Sequence, residues 1–178
     1  FSVFNDLDGK LGSVYAAIKF NNNLYIGTNQ GLFYKKSNSD DFQFIEGTFG
    51  QVWCLKVFDN TLFCGHNLGT FVVDDTNKAN LIANAMGTWD ILPIKNNNNL
   101  LLQGHYNGLN VIEKINNKWK FRNKIEGFDI SSRYFGFDSD LNIFVSHEWK
   151  GVFKLQINND FTNILDYTIE ESVQKEPA

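Results

Sequence analysis

Three histidines are the side chains best suited to acid–base or metal chemistry near neutral pH, and they are not scattered through the sequence. His66, His105 and His147 each end a short run: Leu62-Phe63-Cys64-Gly65-His66, Leu101-Leu102-Gln103-Gly104-His105 and Ile143-Phe144-Val145-Ser146-His147. Glycine follows each within a few residues, at Gly69, Gly108 and Gly151. Imidazoles in equivalent places could converge on a metal, since zinc takes nitrogen at about 2.0–2.1 Å. The run Leu24-Tyr25-Ile26-Gly27-Thr28 has the same form, however, and puts Thr28 in the histidine slot. A threonine hydroxyl is a poor zinc ligand. Hydroxyl and imidazole share the ability to donate or accept a local hydrogen bond. The slot Thr28, His66, His105, His147 therefore reads as a structural repeat position, with no metal assigned.

Other polar groups offer less. Asp6 and Asp8, Asp40 and Asp41, and Glu170 and Glu171 sit in turns or near the chain end and read as solvated surface. No carboxylate pair recurs where a glycosidase needs two facing acids. There is no Gly-rich phosphate loop, no Cys/His metal spacing and no nucleophile elbow. Cys54 and Cys64 fall on neighbouring strands of one hairpin, where a disulfide is uncommon and depends on register. Two buried free thiols is the reading adopted over a disulfide. No catalytic residue and no cofactor is assigned.

The elements that position these side chains recur. The four runs that carry the slot start at spacings of 38, 39 and 42 residues, and each is followed by Gly and a second apolar run. A third run opens each unit upstream with an aromatic: Tyr15, Trp53, Trp89 and Tyr134. A fourth closes it: Phe42–Ile45, Asn80–Ala83, Trp119–Arg122, and Phe161 through Tyr167. Clusters such as Asn21 to Asn23, Asp59-Asn60 and Asn96 to Asn99 supply the turns between runs. Each unit is thus four short antiparallel strands, A to D. Such units at about forty residues are the signature of propeller blades. The expected fold is all-β: a β-propeller segment of about four blades, over residues 12–46, 50–83, 87–124 and 131–167. Residues 1–5 read as the D strand of a preceding blade and 168–178 as a linker to a following one, so a larger propeller is expected.

Composition bounds the partners. The 178 residues carry a net charge of -4, with 17 Phe, 6 Tyr, 4 Trp and only 2 Pro. No basic stripe supports nucleic-acid binding. No apolar run approaches the roughly 20 residues that span a bilayer. Strand A begins where strand B ends, because neighbouring strands are antiparallel. The aromatics that open strand A therefore share one rim with the B–C turns. Trp53, Trp89, Tyr106, Arg133, Tyr134 and Trp149 are the candidate ligand-binding residues there. Flat aromatics suit sugar rings, although inter-blade packing would use the same residues.

The element Asn23-Leu24-Tyr25-Ile26-Gly27-Thr28-Asn29-Gln30-Gly31-Leu32 resembles the two-component regulator propeller repeat, whose usual form is leucine-aromatic-isoleucine-glycine-threonine followed by Gly-Leu. The stretch from Val145 to Leu155 is similar to one found in propeller sensors of Bacteroidetes-type regulators. The resemblance covers residues 12 to 167, and repeats two to four depart from it by placing His where the usual form has Thr. It implies a periplasmic or extracellular sensor that binds a small molecule or oligosaccharide without catalysis. The implied partners are further blades or a dimer mate. Two other classes stand beside this one. One is a carbohydrate-active propeller lyase or hydrolase, with His105 and Tyr106, or Arg133 and Tyr134, as an acid/base pair. The other is a scaffold for partner proteins.

Overall fold

The structure, a computed structural model, describes residues 6, 8–139 and 142–170. The proposed D strand at residues 1–5 and the stretch 171–178 lie outside the described residues. Sixteen strands and no helix are found among those described. They form four antiparallel sheets, each a simple meander in chain order. Blade 1 is β1 (Val14–Phe20), β2 (Asn23–Thr28), β3 (Leu32–Lys36) and β4 (Gln43–Phe44). Blade 2 is β5 (Val52–Phe58), β6 (Thr61–His66), β7 (Gly69–Val73) and β8 (Ala79–Ala83). Blade 3 is β9 (Asp90–Pro93), β10 (Leu100–His105), β11 (Gly108–Ile115) and β12 (Lys118–Lys124). Blade 4 is β13 (Tyr134–Phe137), β14 (Ile143–His147), β15 (Gly151–Ile157) and β16 (Ile164–Glu170).

Asparagine builds the tight turns where proline is scarce. Asn21-Asn22, Asp59-Asn60 and Asn116-Asn117 all have both residues at φ between 44° and 62°. Two consecutive left-handed residues match the right-handed twist of the flanking strands, and Asn and Asp tolerate this better than most. The last D strand differs from the sequence expectation. It runs Ile164–Glu170 rather than Phe161 to Tyr167, which also carries blade 4 past the expected limit at 167. Phe161 sits at φ 54° in a turn whose Asn158 carboxamide oxygen accepts from the N–H groups of Thr162 and Asn163. The chain there is also held by Glu126, which accepts from Ile164 N at 2.8 Å and donates to Thr162 O at 2.8 Å, so pairing with β15 starts later.

The chain divides into two compact units, Phe1–Ile91 and Leu92–Ala178. In the first, Tyr25, Leu32 and Ile45 of blade 1 pack against Val52, Leu62, Cys64, Phe71 and Val73 of blade 2. In the second, Leu102, Leu109, Val111 and Ile125 of blade 3 pack against Ile143, Val145, Phe153 and Leu155 of blade 4. Both cores follow from the period-two alternation of the strands, which puts every second residue on one face.

Strand B carries a glycine at each of three junctions because the next blade comes down onto it. A Cβ on Gly27 would meet Val52 Cγ1 at 2.3 Å. On Gly65 it would meet Cys54 Sγ at 2.5 Å and Thr88 O at 2.7 Å, and on Gly104 it would meet Ser132 O at 2.1 Å. The fourth blade has Ser146 in this position, and it is solvent-exposed.

The cysteines lie in the hairpin of β5 and β6 as expected, both buried and free. Cys54 pairs with Gly65 and Cys64 with Leu55, so their side chains leave opposite faces of the sheet and cannot bridge. Burial, with help from Asp90, pushes the Cys54 thiol up to about 12, and burial raises that of Cys64 as well. Both are inert thiols.

These junctions predict an asymmetry. Gly104→Ala should destabilise by about 1–3 kcal/mol, because the clash is with backbone. Ser146→Ala should change stability by less than about 0.5 kcal/mol. Urea unfolding of the two variants checks both; equal losses would contradict the packing described.

Candidate ligand-binding rim

The slot at the end of strand B has one chemical job in all four blades. Thr28 Oγ1 accepts from the N–H of Gln30 at 3.0 Å and of Gly31 at 3.2 Å. His66 Nδ1 accepts from Leu68 N at 2.9 Å, His105 Nδ1 from Asn107 N at 3.2 Å and His147 Nδ1 from Trp149 N at 3.2 Å. Each side chain takes the backbone N–H two residues on, as an Asx or Ser/Thr turn does. A neutral ring that accepts at Nδ1 carries its proton on Nε2. His66 donates that proton to Thr48 O at 3.2 Å, which ties the B–C turn to the connector entering blade 2. His105 donates it to Asn110 Oδ1 at 3.1 Å. Both nitrogens of His66 and of His105 are therefore committed to hydrogen bonds, and neither presents a lone pair to a metal.

Burial holds the His105 imidazole down to about 4, with the nearby Lys124 ammonium helping and Asn110 opposing. Burial also lowers His66, against the pull of the Thr48 and Gly50 backbone. Protonation would set an Nδ1–H against the turn N–H it now receives.

The aromatics that open strand A are aimed by a β-bulge. Val14 pairs with Thr28 and Ala16 with Gly27, which leaves Tyr15 unpaired between them. Blade 2 repeats this: Val52 pairs with His66 and Cys54 with Gly65, leaving Trp53 in the bulge. A bulge re-aims the extra side chain. As a result Tyr15 and Trp53 lie with centroids 5.5 Å apart, and Trp53 and Trp89 4.6 Å apart, in one aromatic row of the first unit. Trp53 and Trp89 are half-buried and Tyr15 is exposed. The indole nitrogen of Trp53 is buried without a hydrogen-bond partner among the described residues.

In the second unit Tyr106 and Trp149 sit on B–C turns, and Arg133 and Tyr134 stand at the start of β13. Tyr106 is half-buried in the turn between β10 and β11. Arg133 and Tyr134 lie together, with the guanidinium carbon 5.1 Å from the ring centroid. Trp149 is 86% exposed, the most open of the large apolar side chains described. Glu148, absent from the sequence-based set, joins this group: its Oε1 is 3.5 Å from Arg133 Nη1. Two other features were also missed, Tyr15 as a member of the row and the bulges that form it. The signal for Glu148 was available, since strand A pairs with the end of strand B and so puts residue 133 beside the turn after His147.

No family model matches this chain, and no curated protein matches it. Solved structures do. The extracellular domain of BT4673 from B. thetaiotaomicron, assigned to a hybrid two component system, is 16% identical with a TM-score of 0.63, covering 91% of this chain and 22% of that one. The corresponding domain of BT3049 from the same organism is 18% identical with a TM-score of 0.60, covering 81% of this chain and 20% of that one. Hydrazine synthase of Kuenenia stuttgartiensis is 12% identical with a TM-score of 0.63, covering 96% of this chain and 53% of that one. The chain thus spans about a fifth of the two extracellular domains. With four meandering sheets in series and these likenesses, the fold is a β-propeller segment.

The His105 geometry sets a pH dependence. Its folded-state value, about 4, lies below the ordinary 6.5, so the unfolded chain binds more protons between the two. This contribution to stability is complete above pH 6.5 and is lost as pH falls toward 4. His66 acts in the same direction. His105→Thr keeps the turn acceptor that blade 1 uses and removes the titration. Urea midpoints measured across this range should fall less steeply in the variant than in the parent protein. Identical slopes would contradict the assignment.

Proposed function

We propose that this chain is a non-catalytic sensing segment of a propeller from the extracytoplasmic part of a bacterial signal-transduction regulator, with carbohydrate ligands. The observation that carries this reading is the likeness of nearly the whole chain to two extracellular domains of two component systems. Among the described residues no helix is long and apolar enough to cross a membrane. An extracytoplasmic location rests on the likeness alone.

The rim supports a carbohydrate reading on chemical grounds. Sugar rings present apolar C–H faces between hydroxyls, and exposed or half-exposed aromatics offer matching planes. The candidates are Trp53 and Trp89, now with Tyr15, on the first unit, and separately Tyr106, Arg133, Tyr134 and Trp149 on the second. The Trp53 indole N–H adds a donor with no partner among the described residues, the kind of buried polar group that calls for an explanation. Turns can vary while the strands hold the blade, so specificity can change without loss of fold.

Calorimetric titration of the full-length protein with a panel of oligosaccharides tests the reading. Binding without turnover is expected. Trp149→Ala should weaken it by about tenfold, in keeping with the contribution of an aromatic anchor. Its melting temperature should not move, because so exposed a side chain contributes little to packing. Turnover of the sugar would favour the enzyme reading, which has the likeness to hydrazine synthase in its support. Absence of binding to every oligosaccharide would overturn the proposal.

A further inference from the structure

Blade 4 departs from the other three along its B–C rim. Its turn holds three residues between paired His147 and Gly151, where blades 2 and 3 hold two. The longer turn carries Glu148, Trp149 and Lys150. Its strand A has no bulge: Tyr134 pairs directly with Ser146 and is 57% exposed. In the first unit the aromatic row stacks ring on ring, whereas Tyr134 has the Arg133 guanidinium over its ring.

Arg133, Tyr134 and Ser146 are exposed among the described residues.

We propose that this rim binds a uronic acid residue of an oligosaccharide, and that Glu148 holds the carboxylate position until the ligand displaces it. The proposal rests on the carbohydrate-sensing reading above. The arginine fork fits a carboxylate through two parallel N–H···O bonds. Arg133 is oriented for this by Tyr134, so less freedom is lost on binding. The position is already occupied by a carboxylate, at the long distance of 3.5 Å and with both partners largely solvated. Such a pair contributes little and exchanges readily. Trp149 supplies the plane for the pyranose ring, and the Ser146 and Tyr134 hydroxyls can reach its hydroxyl groups.

The full-length protein should be titrated with trigalacturonate and oligoglucuronate, each beside its methyl ester. The esters keep the rings and lose the charge. At least one acid should bind about tenfold more tightly than its ester, the scale of one charge-assisted contact. Arg133→Met should abolish that preference and leave thermal unfolding unchanged. Glu148→Gln should tighten acid binding about threefold by removing the competitor. Equal binding of acid and ester, or a preference that survives Arg133→Met, would overturn this proposal while leaving carbohydrate sensing intact. Weaker acid binding in Glu148→Gln would overturn the displacement step. Failure of every neutral and acidic oligosaccharide to bind would overturn both readings together.

Discussion

The connector that enters each new blade lies almost on the backbone of strand B in the blade before it. That closeness constrains three junctions at once. It demands glycine at Gly27, Gly65 and Gly104, where a Cβ would meet Val52, the Thr88 carbonyl and the Ser132 carbonyl at 2.3, 2.7 and 2.1 Å. It also buries the connector's own polar groups, which must then find partners. Thr48, Thr88 and Ser132 are fully buried in these connectors. Thr88 N donates to His66 O at 3.1 Å and Ser132 N to His105 O at 3.0 Å. His66 and His105 therefore each serve two segments: the carbonyl holds a connector and the side chain closes the B–C turn. Replacing such a slot residue by an apolar one would leave a buried backbone group unpaired, at a cost of about 1–3 kcal/mol.

The rim inherits its geometry from this arrangement. Because the slot residue fixes where the B–C turn lies, it also fixes what stands beside the start of strand A. In blades 1 and 2 the bulge turns Tyr15 and Trp53 into a packed row, so these aromatics serve packing and surface together. Blade 4 lacks both the glycine and the bulge. Its aromatic, Tyr134, is exposed among the described residues and its neighbours are charged. The differences at Ser146, Tyr134 and the longer turn occur together in one blade.

Much of the architecture was legible in the sequence, because turn residues and alternation are local signals. The four meanders and the phase of Thr28, His66, His105 and His147 follow from spacing alone. The shared hydrogen bond of that slot was also within reach, since threonine and histidine have only a few chemical abilities in common. Other features needed coordinates. A bulge adds one residue to a strand without changing its composition, so Tyr15 and Trp53 look like ordinary strand openings. The late start of β16 depends on hydrogen bonds between residues 123–126 and 161–164, a tertiary effect on a segment whose own pattern suits a strand. Glu148, 15 residues from Arg133 in the chain, could have been placed from the pairing of strand A with the end of strand B, but its charge alone did not single it out.

The two-residue asparagine turns and chain-order sheets mean that nearly every strand pairs with the one made just before it. Contact order is low within a blade, so a blade can form as soon as its fourth strand leaves the ribosome. The lateral face is different. The strip along Gly27, Gly65 or Gly104 stays bare until the next connector has been synthesised. During that interval the nascent chain displays an unpaired apolar surface. Ser146 and Lys154, whose ammonium lies 5.7 Å from the Phe144 ring centroid, make the corresponding strip of blade 4 more polar. Exposure to misassembly is therefore greater while blades 1 to 3 await their next connector than it is along blade 4.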